Sequence, residues 1–183
     1  MYMNEFFTIT IDRDIMKEYD KIYFNENQRA KKSWFKNNWK NKKIKKVDYL
    51  YSPLSLNQLL PIDSMAYSNL KSKWGKLGLF LANKYNISNK NYKNAVVEYR
   101  VFSETKAKKD IDNLIGASKI LNDCLFVESG AFEDDNYTLL NPFIGSAEYD
   151  KNYPRTEIRI SIIDENITDI YEKTLIHINN FNK

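Results

Sequence analysis

At 183 residues and 21.7 kDa, the chain is long enough to bury one substantial core, and nothing in its length calls for a second full domain. Its one cysteine, Cys124, excludes an intramolecular disulfide, the shortage of Cys and His excludes a zinc site, and no early apolar run resembles a signal peptide or a membrane span, so a reducing cytoplasm is the expected setting. The net charge of +4 hides two unlike halves: residues 1–109 hold 22 Lys/Arg against 10 Asp/Glu, giving +12, and residues 110–183 hold 6 against 14, giving −8. The first half attracts a polyanion, while the second repels a phosphate unless a divalent cation intervenes, a division that suits a nuclease.

In chain order, Phe6-Phe7-Thr8-Ile9-Thr10-Ile11 alternates as a strand does. Arg29 to Lys46 (RAKKSWFKNNWKNKKIKK) then carries nine positive charges and no negative one. Lys31, Lys32, Lys36, Lys40, Lys42, Lys43, Lys45 and Lys46 are candidates for phosphate contacts, and Trp34, Phe35 and Trp39 for stacking on exposed bases. The competing reading is a solvated arm with its tryptophans packed on the domain. A strand ends near Tyr51. Behind a candidate cap at Ser64, the residues Ala66, Leu70, Trp74, Leu77 and Leu81 recur at helical spacing.

Val96 to Phe102 and Glu157 to Ile163 alternate as further strands, the second with Ile158, Ile160 and Ile162 facing one way and Glu157, Arg159 and Ser161 the other. A helix begins near Asp112, and another closes the chain with Ile167, Tyr171, Leu175 and Ile178 as its apolar stripe. Strands interleaved with helices, and no internal repeat, predict an α/β or α+β domain: a mixed sheet covered by helices, spanning residues 1–183 with a basic segment at about 29–46.

The chemistry concentrates between Lys108 and Asn136. Two carboxylate groups, Asp110/Asp112 and Asp134/Asp135, stand at either end of a short helical segment, which is how hard-cation ligands from separate positions reach one site. If the chain is extended before the helix, Asp110 and Asp112 point the same way, and Asp112 also serves as cap with Asn113 in the first turn. From Asp112, the residues Gly116, Lys119 and Asp123 follow at i+4, i+7 and i+11 on one helical face. There Gly116 leaves room for a phosphate, a metal or a neighbouring backbone, and Lys119 reaches the phosphate as a point charge; the plainer alternative is a Lys119–Asp123 surface pair. The turn Glu133-Asp134-Asp135-Asn136 is expected to fold back towards the start of that helix. Phosphodiester hydrolysis needs an in-line water, a stabilised leaving oxygen and neutralised phosphoryl charge, which one or two Mg²⁺ ions held by aspartates supply. Lys108 and Lys109 add candidate phosphate contacts beside it.

These residues resemble the signature of the RusA-like Holliday junction resolvases: D-x-D-N as Asp110-Ile111-Asp112-Asn113, K-x-x-x-D-x-L as Lys119 to Leu125, then Gly130, then Asp134-Asp135. A looser likeness extends from Ser55-Leu56-Asn57 to Pro154-Arg155-Thr156-Glu157-Ile158, so the resemblance covers roughly Val47 to Ile163. It implies a homodimeric, Mg²⁺-dependent endodeoxyribonuclease, with Mn²⁺ able to substitute, that cuts four-way DNA junctions by symmetric nicking. Asp110, Asp112 and Asp135 match the family's metal-binding aspartates and Lys119 its catalytic lysine, with Asn113, Asp123 and Asp134 in support. The chain departs from the family in three places: Gly116 stands where some members carry the lysine, Ile111 replaces a frequent proline, and the basic segment before Val47 is longer.

Two other readings compete. Pro61-Ile62-Asp63 with Glu104-Thr105-Lys106 spells the P-D…E-x-K pattern of restriction-type nucleases, but that motif is short and its spacing permissive. Asp63 reads more simply as a turn or cap residue and Glu104 as a strand end. The second is a non-catalytic, structure-specific nucleic-acid-binding protein whose carboxylates only support folding. A serine or cysteine hydrolase has little support, because His177 belongs to the closing helix at the edge of the core.

Overall fold

The computed structural model describes residues 5–26, 64–106 and 110–182. Its elements are β1 (Phe6–Ile11), α1 (Arg13–Glu26), α2 (Ser64–Lys84), β2 (Ala95–Ser103), α3 (Ile111–Asn122), β3 (Leu140–Tyr149), β4 (Arg155–Ile162) and α4 (Ile170–Phe181). The strands form one mixed sheet in the order β1-β4-β2-β3, in which β4 pairs antiparallel with both β1 and β2, and β2 pairs parallel with β3. With helices on both faces, this is the α+β architecture that the interleaved pattern predicts.

The period-two alternation decides what each face meets. Ile9, Ile11, Val97, Tyr99, Ile158 and Ile160 point into one core with Met16 and Tyr19 of α1, Trp74, Leu77 and Leu81 of α2, and Leu121 of α3. The stripe predicted for α2 is thus buried at Trp74, Leu77 and Leu81, while the side chains of Ala66 and Leu70 lie outside the described residues. Phe126 and Phe132 are fully buried edge to face, with ring centroids 5.6 Å apart. Burial of side chains of this size contributes about 1.5–3 kcal/mol each.

Helix α3 does not stop at Asn122 but continues as a π-helical segment, Asp123–Glu128, whose Cys124, Leu125 and Phe126 are buried. It lies against α2 at unusually close range, and Gly78 makes this feasible: a Cβ there would meet Leu125 N at 2.8 Å and Leu121 O at 2.9 Å. The turn that follows needs Gly130, whose φ is +70° and whose Cβ would stand 3.0 Å from Asn89 Oδ1.

Two elements lie outside the sequence-based expectations. Helix α1 is capped by Asp12, whose Oδ1 accepts from the backbone N–H groups of Asp14 and Ile15 at 2.9 Å. Strand β3 includes Pro142 and Gly145, which weaken a strand pattern, and among the described residues it stands at one end of the sheet, where a missing N–H on its outer side goes unused.

The closing helix corrects its predicted stripe. Asp169 caps α4 by accepting from Glu172 N at 2.8 Å, so Ile167 precedes the helix, and Tyr171, Leu175 and Ile178 are 73%, 42% and 43% exposed. The buried positions are Lys173 and His177. They meet the second face of the sheet, where Glu98 and Ser161 point, because that face supplies hydrogen-bonding groups and not an apolar surface. The rest of that face is a ladder of Glu98, Arg100, Glu157, Arg155 and Arg159 ion pairs, with Arg155 stacked 3.6 Å over Phe102. Among the described residues, no helix is long and apolar enough to cross a membrane.

Candidate active site

The site is organised by α3, which the core holds in one rotation. Ser118, Ile120, Leu121 and Asn122 are buried. The hydroxyl of Tyr99 on β2 donates to Asn122 Oδ1, and Asn122 Nδ2 donates to Ser118 Oγ at 3.3 Å. Complete burial pushes the Tyr99 phenol far above its ordinary range, so it stays a neutral donor. This lock turns Lys119 outward, with its side chain 69% exposed.

At the start of the helix, Asp110 occupies the N-cap in an extended conformation (φ −83°, ψ 115°) with no side-chain cap hydrogen bond. Asp112 therefore lies inside the first turn and is not the cap, and only Asp110 is extended. Asn113 Nδ2 donates to Asp110 Oδ2 at 3.3 Å, and Asp112 makes no hydrogen bond or ion pair among the described residues. Both carboxylates are exposed beside the positive end of the α3 dipole, which favours negative charge there.

The second carboxylate group meets the other half of α3. Asp134 turns its oxygens onto its own loop, Oδ1 accepting from Asp135 N and Oδ2 from Asn136 Nδ2, each at 2.7 Å. Asp135 points away from that loop, and its Oδ2 lies 3.4 Å from Lys119 Nζ. Lys119 is also 3.2 Å from Asp123 Oδ1, and Asp123 Oδ2 is 3.5 Å from Lys71 Nζ on α2. The result is an alternating line of charge, Lys71, Asp123, Lys119, Asp135. The hydrogen bond that Lys119 donates to Asp123, with the charges of Asp135 and Asp123, holds the Lys119 ammonium above the usual lysine range against the opposing effect of desolvation. The i,i+4 pair is present as predicted, but it is one part of this larger network.

The acidic turn thus folds back onto the later half of α3 and not onto its start. Seven residues of helix separate Asp112 from Lys119, about 10 Å along the axis. Among the described residues, no group of three or more His, Cys, Asp or Glu stands together as a metal-holding cluster. The donor chemistry nevertheless fits a hard cation: Asp110, Asp112 and Asp135 offer only carboxylate oxygen, with no thiolate or imidazole among them.

Lys71 is a member of this charge network that sequence reasoning missed, because its partner lies 52 positions away and no local spacing signals the contact. Lys31, Lys32, Lys36, Lys40, Lys42, Lys43, Lys45, Lys46, Lys108 and Lys109 lie outside the described residues, as do Trp34, Phe35, Trp39, the strand ending near Tyr51 and Asp63. Glu104 is held by Arg13 Nη2 at 2.7 Å just past the end of β2, in keeping with a structural role. Cys124 is buried, and its thiol is pushed up to about 12, which removes it as a nucleophile. His177 Nδ1 lies 3.0 Å from Ser161 Oγ, and its Nε2 lies 3.3 Å from Glu98 Oε2, but Ser161 is 0% and His177 2% exposed, so no substrate reaches them.

None of the curated proteins compared with the chain matches it. The family model described as Endodeoxyribonuclease RusA matches residues 64–161, which run from the first residue of α2 into β4, span more than half of the chain and include Asp110, Asp112, Lys119, Asp123, Asp134 and Asp135. With its mixed sheet and its carboxylate-flanked helix inside that match, the chain belongs to the RusA endodeoxyribonuclease family.

Proposed function

We propose that the protein is a single-domain, homodimeric, Mg²⁺-dependent resolvase that cuts four-way DNA junctions by paired symmetric nicks in the cytoplasm. Family membership implies endodeoxyribonuclease activity on Holliday junctions. The observation that carries the finer reading is the Lys119 ammonium set between Asp123 and Asp135, on the same helix that begins with Asp110 and Asp112.

In this reading Asp110, Asp112 and Asp135 hold the metal, and Asn113 and Asp134 orient the carboxylates beside them. Bound Mg²⁺, or Mn²⁺ in its place, supplies Lewis-acid neutralisation of phosphoryl charge and an activated water. The chain's own part is positioning. Lys119 stays an ammonium at neutral pH and presents fixed positive charge to a phosphoryl oxygen, where charge grows in the transition state. Asp123 aims that ammonium, and Lys71 keeps Asp123 from drawing it inward. The lysines of residues 29–46, with Lys108 and Lys109, contribute sequence-independent attraction to the backbone of branched DNA. Two coordinated nicks in a nearly two-fold junction require two sites related by a matching axis, which a C₂ dimer provides.

The competing reading is a structure-specific binding protein in which Lys119 only neutralises Asp123 and Asp135, and the same ion pairs favour it. A labelled mobile four-way junction incubated with Mg²⁺ or with EDTA separates the two. The resolvase gives symmetric, ligatable nicks with Mg²⁺ alone, and the binding protein gives a shifted, uncut junction in both.

A further inference from the structure

The turn that carries Asp135 is fixed by its own side chains. Phe132 before it and Leu140 after it are buried in the core. Between them, Asp134 accepts from Asp135 N and Asn136 Nδ2, Asn136 Oδ1 accepts from Thr138 N at 2.9 Å, and Asn136 O accepts from Leu139 N at 3.2 Å and Leu140 N at 3.0 Å. Tyr137 is the exception. It is 78% exposed, more than any other large apolar residue among those described, and its side chain makes no hydrogen bond or ring contact with them.

Turns of this kind favour short polar residues that bond to the local backbone, as Asp134, Asn136 and Thr138 do here, and a tyrosine ring serves no such purpose. What the ring does offer is a flat apolar face on a fixed backbone, with only two torsions to restrain when a partner binds. Its place in the chain puts it beside the reaction. Asp135 is two residues away, so the two Cα atoms stand within about 7 Å, and Asp135 touches Lys119, the ammonium assigned to the phosphoryl group. The charges around the ring are already engaged: Glu133 pairs with Lys93 at 3.1 Å, Asp134 with its own loop, and Asp135 with Lys119. Tyr137 therefore suits the face of a nucleobase and offers a phosphate no cation.

We infer that Tyr137 is a base-stacking residue of this site, its ring covering a nucleobase left unstacked at the branch point, beside the phosphate that Lys119 addresses; the inference rests on the junction-cutting reading above. In linear duplex the neighbouring base pairs cover every base face, so a ring on a turn has nothing to stack on unless a step is first opened. At a branch point the stack is interrupted and a face is free. Stacking tolerates any base, because every base has such a face. Tyr137 thus adds selectivity for branched over linear DNA, which lysines that contact phosphates do not supply. The phenol hydroxyl plays no part in this, so phenylalanine should serve as well.

The test uses a labelled four-way junction that carries 2-aminopurine at each branch-point position in turn, with a linear duplex of the same sequence beside it. Binding is read in EDTA and nicking in Mg²⁺, for the wild type, Tyr137→Phe and Tyr137→Ala. The wild type and Tyr137→Phe should quench the 2-aminopurine emission at one position, as stacking does. Tyr137→Ala should leave it bright, bind the junction about 5- to 150-fold more weakly, and bind linear duplex as the wild type does. All three should share one Tm, since the ring is exposed. A wild type that quenches at no position, or a Tyr137→Ala that matches the wild type in quenching and junction affinity, overturns the inference. So does an equal loss on linear duplex, and a Tyr137→Phe as weak as Tyr137→Ala moves the contact to the hydroxyl and overturns stacking. A wild type that binds and quenches the junction but never nicks it overturns the resolvase reading and leaves the stacking in place. One that does not prefer the junction to linear duplex overturns both.

Discussion

Lys119 Nζ lies 3.4 Å from Asp135 Oδ2, a contact that spans 16 residues of chain and joins the exposed face of α3 to the acidic turn before β3. It is the one direct link between the helix that starts with Asp110 and Asp112 and the carboxylate group beyond it among the described residues. Both partners are charged, both reach solvent, and the ammonium is held in place from its other side by Asp123.

Replacing Lys119 tests whether that ammonium serves the reaction. Lys119→Met is expected to slow single-turnover nicking by about 10²–10³-fold, the size of loss seen when one charge-stabilising donor is removed, with little change in junction affinity. Because the lysine's proton affinity is raised, it should contribute no pH limb to the nicking rate below 10.5, its ordinary value. A limb below that value that vanishes in Lys119→Met would contradict this assignment.

Gly78 sets how closely α2 and α3 approach. Gly78→Ala places a methyl group 2.8 Å and 2.9 Å from the backbone atoms Leu125 N and Leu121 O, which cannot rotate away. Thermal or urea unfolding should report a loss of about 1–3 kcal/mol, the usual range for overpacking. At an open helical site the same change would stabilise, so the sign of the measured effect decides.

Glu98 ties the sheet to α4. Burial raises its pKa, but the hydrogen bond with His177 and the charges of Arg100 and Arg159 outweigh burial and hold the carboxyl below 4.5. A depressed folded value means that Glu98 contributes stability above about pH 4.5, and that this stability is lost as the pH falls through the folded value. Glu98→Gln should therefore lower Tm at neutral pH and flatten the acid limb of a Tm-against-pH curve. Parallel curves for the two proteins would show that the pairing contributes nothing.

Much of this arrangement is legible in the sequence, for reasons particular residues make plain. Ile158, Ile160 and Ile162 alternate with polar neighbours because β4 is flanked on both sides, so each side chain has a defined face. Trp74, Leu77 and Leu81 follow the helical period because α2 buries one side. The i,i+4 relation of Lys119 and Asp123 is local and visible in the spacing, whereas Lys71–Asp123 and Lys119–Asp135 depend on tertiary folding and leave no local trace. The stripe of α4 reads onto the wrong side because apolar periodicity normally marks the buried face, and here Asn94, Glu98 and Ser161 attract the polar face instead. Helix α1 does have a signal, Asp12 as cap with Ile15, Met16 and Tyr19 following, but its charged residues dilute the pattern.

The basic segment calls for a salt titration. Replacing Lys40, Lys42, Lys43, Lys45 and Lys46 with glutamine should weaken binding to linear and branched DNA alike. The slope of log K against log[salt] should shrink by about 0.9 for each duplex phosphate that is no longer neutralised by a lysine. An unchanged slope would assign the segment to a solvated arm.

The central claim is that Asp110, Asp112 and Asp135 hold a metal that cuts junctions. The most direct test is single-turnover cleavage of a labelled four-way junction in Mg²⁺ by Asp112→Asn and Asp135→Asn, with junction binding measured in parallel. Each variant removes a ligand charge without touching the lysines that contact phosphate, so both should bind the junction like the wild type and fail to nick it. Nicking by either variant near the wild-type rate would contradict the assignment.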